Sequence, residues 1–127
     1  MDTKRDSSGT IRVLCVDDDA DTRELMHALI KAYGYEPVIP GSVCDALEQV
    51  ARGGFALYVL DGRFGRSAGV DLCERIRASD NSTPVIFYSA MGYQADIQKG
   101  LNAGAQAYVV KPNFDALEQT IGRLIRS

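Results

Sequence analysis

The stretch VLCVDDDADTREL, residues 13–25, decides the fold. An apolar run ends in four acids within five residues, Asp17, Asp18, Asp19 and Asp21. Two ionised carboxylates about 4 Å apart repel by roughly 4 kcal/mol at an effective dielectric near 20. A chain that gathers them must either point them apart or offset the repulsion. Upstream, IRVLCV (11–16) is a short, β-branched apolar run, which reads as a buried strand. Downstream of Asp19, the residues Leu25, Met26, Leu29, Ile30 and Tyr33 recur at helical spacing until Gly34 stops them. The first unit is therefore strand, acidic turn, helix.

The unit repeats outward along the chain. EPVIP (36–40) is a short strand whose prolines favour an exposed or edge position. Ser42 opens a second helix, with Asp45 three residues on in a box-like arrangement, running through Leu47 and Val50 to Gly53-Gly54. FALYVL (55–60) is a third strand, stopped by Asp61, and a Gly/Arg-rich loop follows to Gly69. Val70, Leu72, Cys73 and Ile76 mark a third helix, and the turn residues Asp80-Asn81-Ser82 lead into the strand PVIFYS (84–89). Segment 92–103 is a helix weakened by Gly92 and Gly100. AQAYVV (105–110) is a fifth strand, and Phe114, Leu117, Ile121, Leu124 and Ile125 line one face of a last helix. Near-continuously apolar strands need helices on both faces. Right-handed crossovers then give an α/β fold with a doubly wound, five-stranded parallel sheet and five surrounding helices. Residues 1–10 are polar and read as a disordered tail, and 11–127 as one domain.

Bulk numbers narrow the class. The chain has 127 residues, is 46% apolar and 24% charged, and carries a net charge of −3. Its pI near 5.1 argues against direct nucleic-acid binding, which calls for a basic patch. No apolar stretch reaches the roughly 18 residues of a transmembrane helix, and MDTKRDSSG at the start lacks the apolar core of a signal peptide. Cys15, Cys44 and Cys73 are odd in number, far apart and without CxxC spacing. They read as buried small hydrophobes in a reducing, cytoplasmic setting.

The chemistry lies in what ends each strand. The first ends in Asp17-Asp18, the third in Asp61, the fourth in Ser89 and the fifth in Lys111. In an open parallel sheet these ends share one edge, where such folds bind ligands. Three carboxylates, a hydroxyl and an ammonium meet there. Clustered oxygens suit a small hard cation, and Mg²⁺ characteristically takes one or two carboxylates, several waters and a phosphate oxygen. Lys111 adds a point charge suited to phosphate. Asp61 then has the surroundings of an aspartyl-phosphate nucleophile. Asp19 and Asp21 read instead as a helix N-cap and a first-turn acid. His27 sits mid-helix with no second histidine to pair with. Arg63 and Arg66 read as solvated.

On VDD (16–18), LD (60–61), Gly69 eight residues past Asp61, SA (89–90) and GAQAYVVKP (104–112), the chain resembles a response-regulator receiver domain of two-component signal transduction. It is similar to the single-domain chemotaxis regulators, over about residues 11–126. No one of these motifs is specific; their joint order and spacing are. The resemblance implies a flavodoxin-like sheet in the order 2-1-3-4-5. It implies that Asp61 accepts a phosphoryl group from a phosphohistidine of a histidine kinase or phosphotransfer protein. Mg²⁺ is then held by Asp18 and Asp61, by Asp17 through water, and by the backbone carbonyl of Arg63. Ser89 bonds a phosphoryl oxygen, Lys111 pairs with Asp61 and then with the phosphate, and Tyr108 is an aromatic switch. The Lys111–Pro112 peptide is cis. Arg63 and Met91 flank the phosphate and tune its loss.

The chain thus reads as a stand-alone phosphorylation switch that catalyses its own aspartyl phosphorylation and dephosphorylation rather than turning over a substrate. Modification changes the face made by the fourth helix, fifth strand and fifth helix, which binds a protein target or a second copy. One departure from the family pattern is Gly65, where a proline is common four residues after the acceptor. With Gly62, Arg63 and Arg66 it makes the 61–69 loop unusual and motivates an alternative, a phosphorylation-independent pseudo-receiver acting as a docking module. A haloacid-dehalogenase-type phosphatase is a remote alternative, since Thr22 falls one residue late for Asp-x-Asp-x-Thr. A calcium EF-hand fails outright, because its glycine and final glutamate positions hold Thr22 and Ala28.

Overall fold

A computed structural model describes residues 9–64 and 67–126. Its elements are β1 (Arg12–Val16), α1 (Ala20–Ala32), β2 (Glu36–Val38), α2 (Val43–Arg52), β3 (Leu57–Leu60), β4 (Arg63–Phe64), β5 (Ser67–Ala68), α3 (Gly69–Ser79), β6 (Val85–Ser89), α4 (Gln94–Asn102), β7 (Ala107–Val110) and α5 (Phe114–Arg126). Five strands form one sheet in the order β2-β1-β3-β6-β7, with all neighbours parallel. This is the expected 2-1-3-4-5 order, renumbered because β4 and β5 form a small antiparallel hairpin. The hairpin lies in the stretch read as an irregular loop. Of the residues singled out there, Gly65 and Arg66 lie outside the described residues, as do residues 1–8 of the expected tail.

The period-2 alternation of a strand sorts the core into two layers. Val13 and Cys15 of β1, Leu57 and Val59 of β3, and Ile86 and Tyr88 of β6 pack with Met26 and Ile30 of α1 and Leu117 and Ile121 of α5. Leu14 and Val16, Tyr58 and Leu60, and Val85 and Phe87 face the other way, onto Ala46, Val50, Leu72, Cys73 and Ile76 of α2 and α3. Every residue of β3 and β6 is buried, which is why these strands carry no polar alternation in the sequence.

Local signals hold where the chain turns. Asp19 caps α1, its carboxylate accepting from the Thr22 amide at 2.9 Å and the Thr22 hydroxyl at 2.7 Å. Ser42 caps α2 through the Asp45 amide at 3.0 Å. Asp45 reaches back to the Gly41 amide at 3.3 Å rather than to Ser42, so the box is shifted by one residue. Several sequence expectations are corrected. Cys44 is exposed, because the buried stripe of α2 runs through Ala46 and Val50. Leu25 and Phe114, at helical spacing with the buried residues of α1 and α5, are themselves exposed. Pro37 lies on edge strand β2, as expected, but is buried.

At the N-terminal end of the sheet a polar network fixes the connections. Tyr58 is 1% exposed and donates its hydroxyl to Asp80 at 2.6 Å. Arg77 donates to the carbonyls of Gly104 (2.9 and 3.1 Å), Asp80 (3.0 Å) and Thr83 (2.7 Å) and to the Gln106 side chain at 2.9 Å. Burial opposes ionisation of Asp80, yet hydrogen bonds from Tyr58, Thr83 and Ser82 hold its carboxyl well below the usual range. Among the described residues, no buried side-chain nitrogen or oxygen lacks a hydrogen-bond partner.

Candidate functional site

The opposite, C-terminal edge of the sheet brings the strand-end residues together. Asp17 and Asp18 follow β1, Asp61 follows β3, Ser89 is the last residue of β6 and Lys111 follows β7. Parallel pairing sets their depth: the Asp61 amide donates to the Val16 carbonyl at 3.0 Å and the Lys111 amide to the Ser89 carbonyl at 2.8 Å. Asp17 is 3% exposed, Asp61 half-buried and Asp18 exposed. One carboxylate oxygen from each of the three lies within 4.8 Å of the others.

Lys111 is what lets the acids meet. Its ammonium is 2.8 Å from Asp17 Oδ2 and 3.6 Å from Asp61 Oδ1. The Asp19 amide bonds Asp17 Oδ1 at 3.0 Å, and the Gly62 amide bonds Asp61 Oδ1 at 2.8 Å. Burial opposes the charge on Lys111, but the bonds to Asp17 and Asp61 outweigh it and raise its pKa. Asp61 shows the opposite balance: burial and the Asp17 charge raise its carboxyl pKa despite Lys111. All three acids offer hard oxygen donors. These residues fit an Mg²⁺ ion. Nearby Cys15 is inert as a nucleophile, its thiol pushed up to about 12 by burial and by Asp17.

Ser89 is 1% exposed and accepts the Met91 amide at 3.1 Å on its Oγ. Tyr108, half-buried, donates its hydroxyl to the Met91 carbonyl at 2.6 Å and stacks on Phe87 at 5.6 Å between centroids. One residue's main chain therefore joins the site hydroxyl to the aromatic ring. Arg63 is exposed, as expected, and the Lys111–Pro112 peptide is cis.

Three glycines that sequence reasoning passed over or read differently shape this region. A Cβ on Gly69 would run into the Asp61 carbonyl oxygen and come within 2.9 Å of the Phe87 ring. A Cβ on Gly62 would strike Ser89 Oγ and lie 2.9 Å from Met91 Sδ. At Gly100 it would meet Tyr108 and Phe87 at 2.9 and 3.0 Å. Gly100, read from the sequence as a weak point of α4, is thus where that helix approaches the Tyr108 ring.

A sheet that gathers three acids, a hydroxyl and a lysine at the carboxyl ends of its strands defines a class. The chain belongs to the response regulator receiver domain family, whose profile matches residues 13–122. It is 31% identical over 118 residues to the transcriptional regulatory protein ZraR of Salmonella typhimurium, covering 92% of this chain and 27% of that protein. It is 32% identical over 114 residues to the response regulator MprA of Mycobacterium leprae, covering 90% of this chain and 49% of that one. The chain thus spans about a quarter to a half of the length of these relatives. Among solved structures, the response regulator TrrA of Thermotoga maritima, in complex with Mg²⁺-BeF, matches with a TM-score of 0.79 at 30% identity, over 89% of this chain and 97% of that one. A receiver domain protein of Methanospirillum hungatei matches with a TM-score of 0.80 at 26% identity, over 91% and 94%. Membership supports phosphorylation-controlled signalling. No described helix is long and apolar enough to cross a membrane.

Proposed function

We propose that Asp61 is the phosphoacceptor of a signalling switch charged by a phosphohistidine of a histidine kinase or phosphotransfer protein. The observation that carries this reading is the Lys111 ammonium set between Asp17 and Asp61, 2.8 and 3.6 Å away, at a cluster of three carboxylates whose oxygens lie within 4.8 Å of one another. An Asp61 carboxylate oxygen attacks phosphorus. The phosphorus–nitrogen bond of the donor breaks, its electron pair returns to the imidazole, and an acyl phosphate forms. Asp17, Asp18, Asp61 and the Arg63 carbonyl would hold Mg²⁺, which supplies charge stabilisation to the transferring group. The Mg²⁺-BeF complex of the Thermotoga relative supports that choice of ion.

Modification turns the singly charged Asp61 carboxylate into an acyl phosphate of about −1.5 to −2, a gain of roughly half to one negative charge on a larger group. Lys111 and Ser89 then turn to the phosphoryl oxygens. Movement of Ser89 acts on Met91, and through the Met91 carbonyl on Tyr108. The face of α4, β7 and α5, which exposes Tyr93, Leu101 and Val110, would present the changed surface to a protein target or a second copy.

Intact mass is measured with acetyl phosphate in Mg²⁺ and then in EDTA, alongside Asp61→Asn. The expected result is a Mg²⁺-dependent gain of one phosphoryl group that the variant lacks. Phosphorylation of Asp61→Asn in the same region would overturn the acceptor assignment. No gain from acetyl phosphate or from phosphorylated histidine kinases would favour a phosphorylation-independent docking module.

A further inference from the structure

Lys111 carries a flexible four-carbon stem, and a side chain of this kind loses rotamer entropy when fixed. Asp17 and Asp61 attract its head, 2.8 and 3.6 Å away. Tyr88 packs against it as well. This residue precedes Ser89 on β6, points to the opposite face of the sheet and is 4% exposed. Its ring centroid lies 5.5 Å from the Lys111 ammonium, within the range of a cation–π contact. Its hydroxyl accepts the Asn113 amide at 3.3 Å. Tyr88 therefore touches the chain at Lys111 and again just past Pro112, bracketing the turn that carries the lysine. Phe114, 6.3 Å away and tilted by 51°, backs the ring.

We propose that Tyr88 is a positioning residue for Lys111, its ring face holding the ammonium toward the two carboxylates. The inference rests on the phosphoacceptor reading for its consequence, but not for its geometry. Packing alone would be met by any apolar side chain of similar size. Positioning through the ring face is met by phenylalanine and not by leucine.

Two readouts separate these cases. In a lysine-labelled sample, with Lys111→Met to assign the signal, the ε-methylene protons of Lys111 should be shifted upfield by the ring. The shift should persist in Tyr88→Phe and collapse toward the free-lysine position in Tyr88→Leu. The rate of phosphorylation by acetyl phosphate should stay within about twofold of the parent in Tyr88→Phe and fall about fivefold in Tyr88→Leu. In a Lys111→Ala background, Tyr88→Leu should have no further effect. Should Tyr88→Leu melt early, Tyr88→Met replaces it. An unshifted methylene in the parent chain, or equal behaviour of the Phe and Leu variants, overturns the proposal, as does a full loss that persists without Lys111. If the parent takes no phosphate at all, the functional reading fails, and the proton shifts alone decide the positioning role.

Discussion

Gly69→Ala tests the packing that sets the acceptor's position. The added methyl would overlap the Asp61 carbonyl oxygen and press on Phe87 Cε1 at 2.9 Å. Neither neighbour can turn aside. The Asp61 main chain is tied to Val16 at 3.0 Å, Gly69 is tied to the Gly62 carbonyl at 2.8 Å, and Phe87 is fully buried. The start of α3 must therefore back away from β3. Overpacking of a tight core costs about 1–3 kcal/mol, and rigid neighbours on two sides place this case near 3. For a chain of 127 residues the unfolding entropy near 60 °C is about 0.27 kcal/mol/K, so the melting temperature should fall by about 11 °C. The acetyl phosphate reaction should slow as well, because the Asp61 main chain is what gets pushed. Gly41→Ala is the control, since nothing lies within 4 Å of its Cβ position. A loss below about 3 °C with an unchanged reaction rate would refute the reasoning.

Three further outcomes follow from the charges. Because burial and Asp17 raise the Asp61 pKa, the ionised side chain costs the folded state stability at neutral pH. In metal-free buffer, Asp61→Asn should gain about 0.5–2 kcal/mol at pH 7.5. Melts at descending pH should show that gain fading through the raised pKa and vanishing below 3.8. Mg²⁺ at a hundredfold excess over its dissociation constant should stabilise the parent chain by about 2.7 kcal/mol; thermal melts of Asp18→Ala or Asp61→Asn should show a much smaller rise, and EDTA should reverse it. Tyr58→Phe removes a hydrogen bond to a charged carboxylate and should cost about 1.5–3 kcal/mol, read from urea midpoints at unchanged slope. Asp80 is held below its ordinary pKa, so that deficit is full at pH 7 and narrows as acid protonates Asp80.

The sheet was legible because its strands are apolar on both faces, and each ends where a polar side chain takes over. The caps at Asp19 and Ser42 were legible because their partners sit three residues away. The same locality explains the misses. Two-residue strands such as Arg63–Phe64 and Ser67–Ala68 are too short to show a period. The Arg77–Asp80–Tyr58 network joins residues up to 29 apart in sequence, and no local pattern announces it. Cys44 was misread because composition was allowed to override phase. Ala46 and Val50 mark the buried stripe of α2, and Cys44 falls off it. Gly62, Gly69 and Gly100 matter for what approaches them across the fold, which a window of neighbours does not contain. In the site, the clustering of Asp17, Asp18, Asp61, Ser89 and Lys111 was visible from strand ends alone. The main-chain bonds that reach Ser89 and Tyr108 from Met91 were not, since they involve no side-chain chemistry of Met91.

That last residue has a consequence for how variants of this protein will look. Met91 reaches Ser89 through its amide and Tyr108 through its carbonyl. Every amino acid but one carries both groups. A side-chain truncation scan would remove the Ser89 and Tyr108 ends of these bonds but leave both main-chain groups of position 91 in place. Proline, which lacks the amide hydrogen, is the one substitution that would remove the bond to Ser89, and it would leave the direct approach of the Tyr108 hydroxyl to Ser89. Substitutions at position 91 other than proline therefore change the side chain beside Gly62 while both main-chain bonds stay in place.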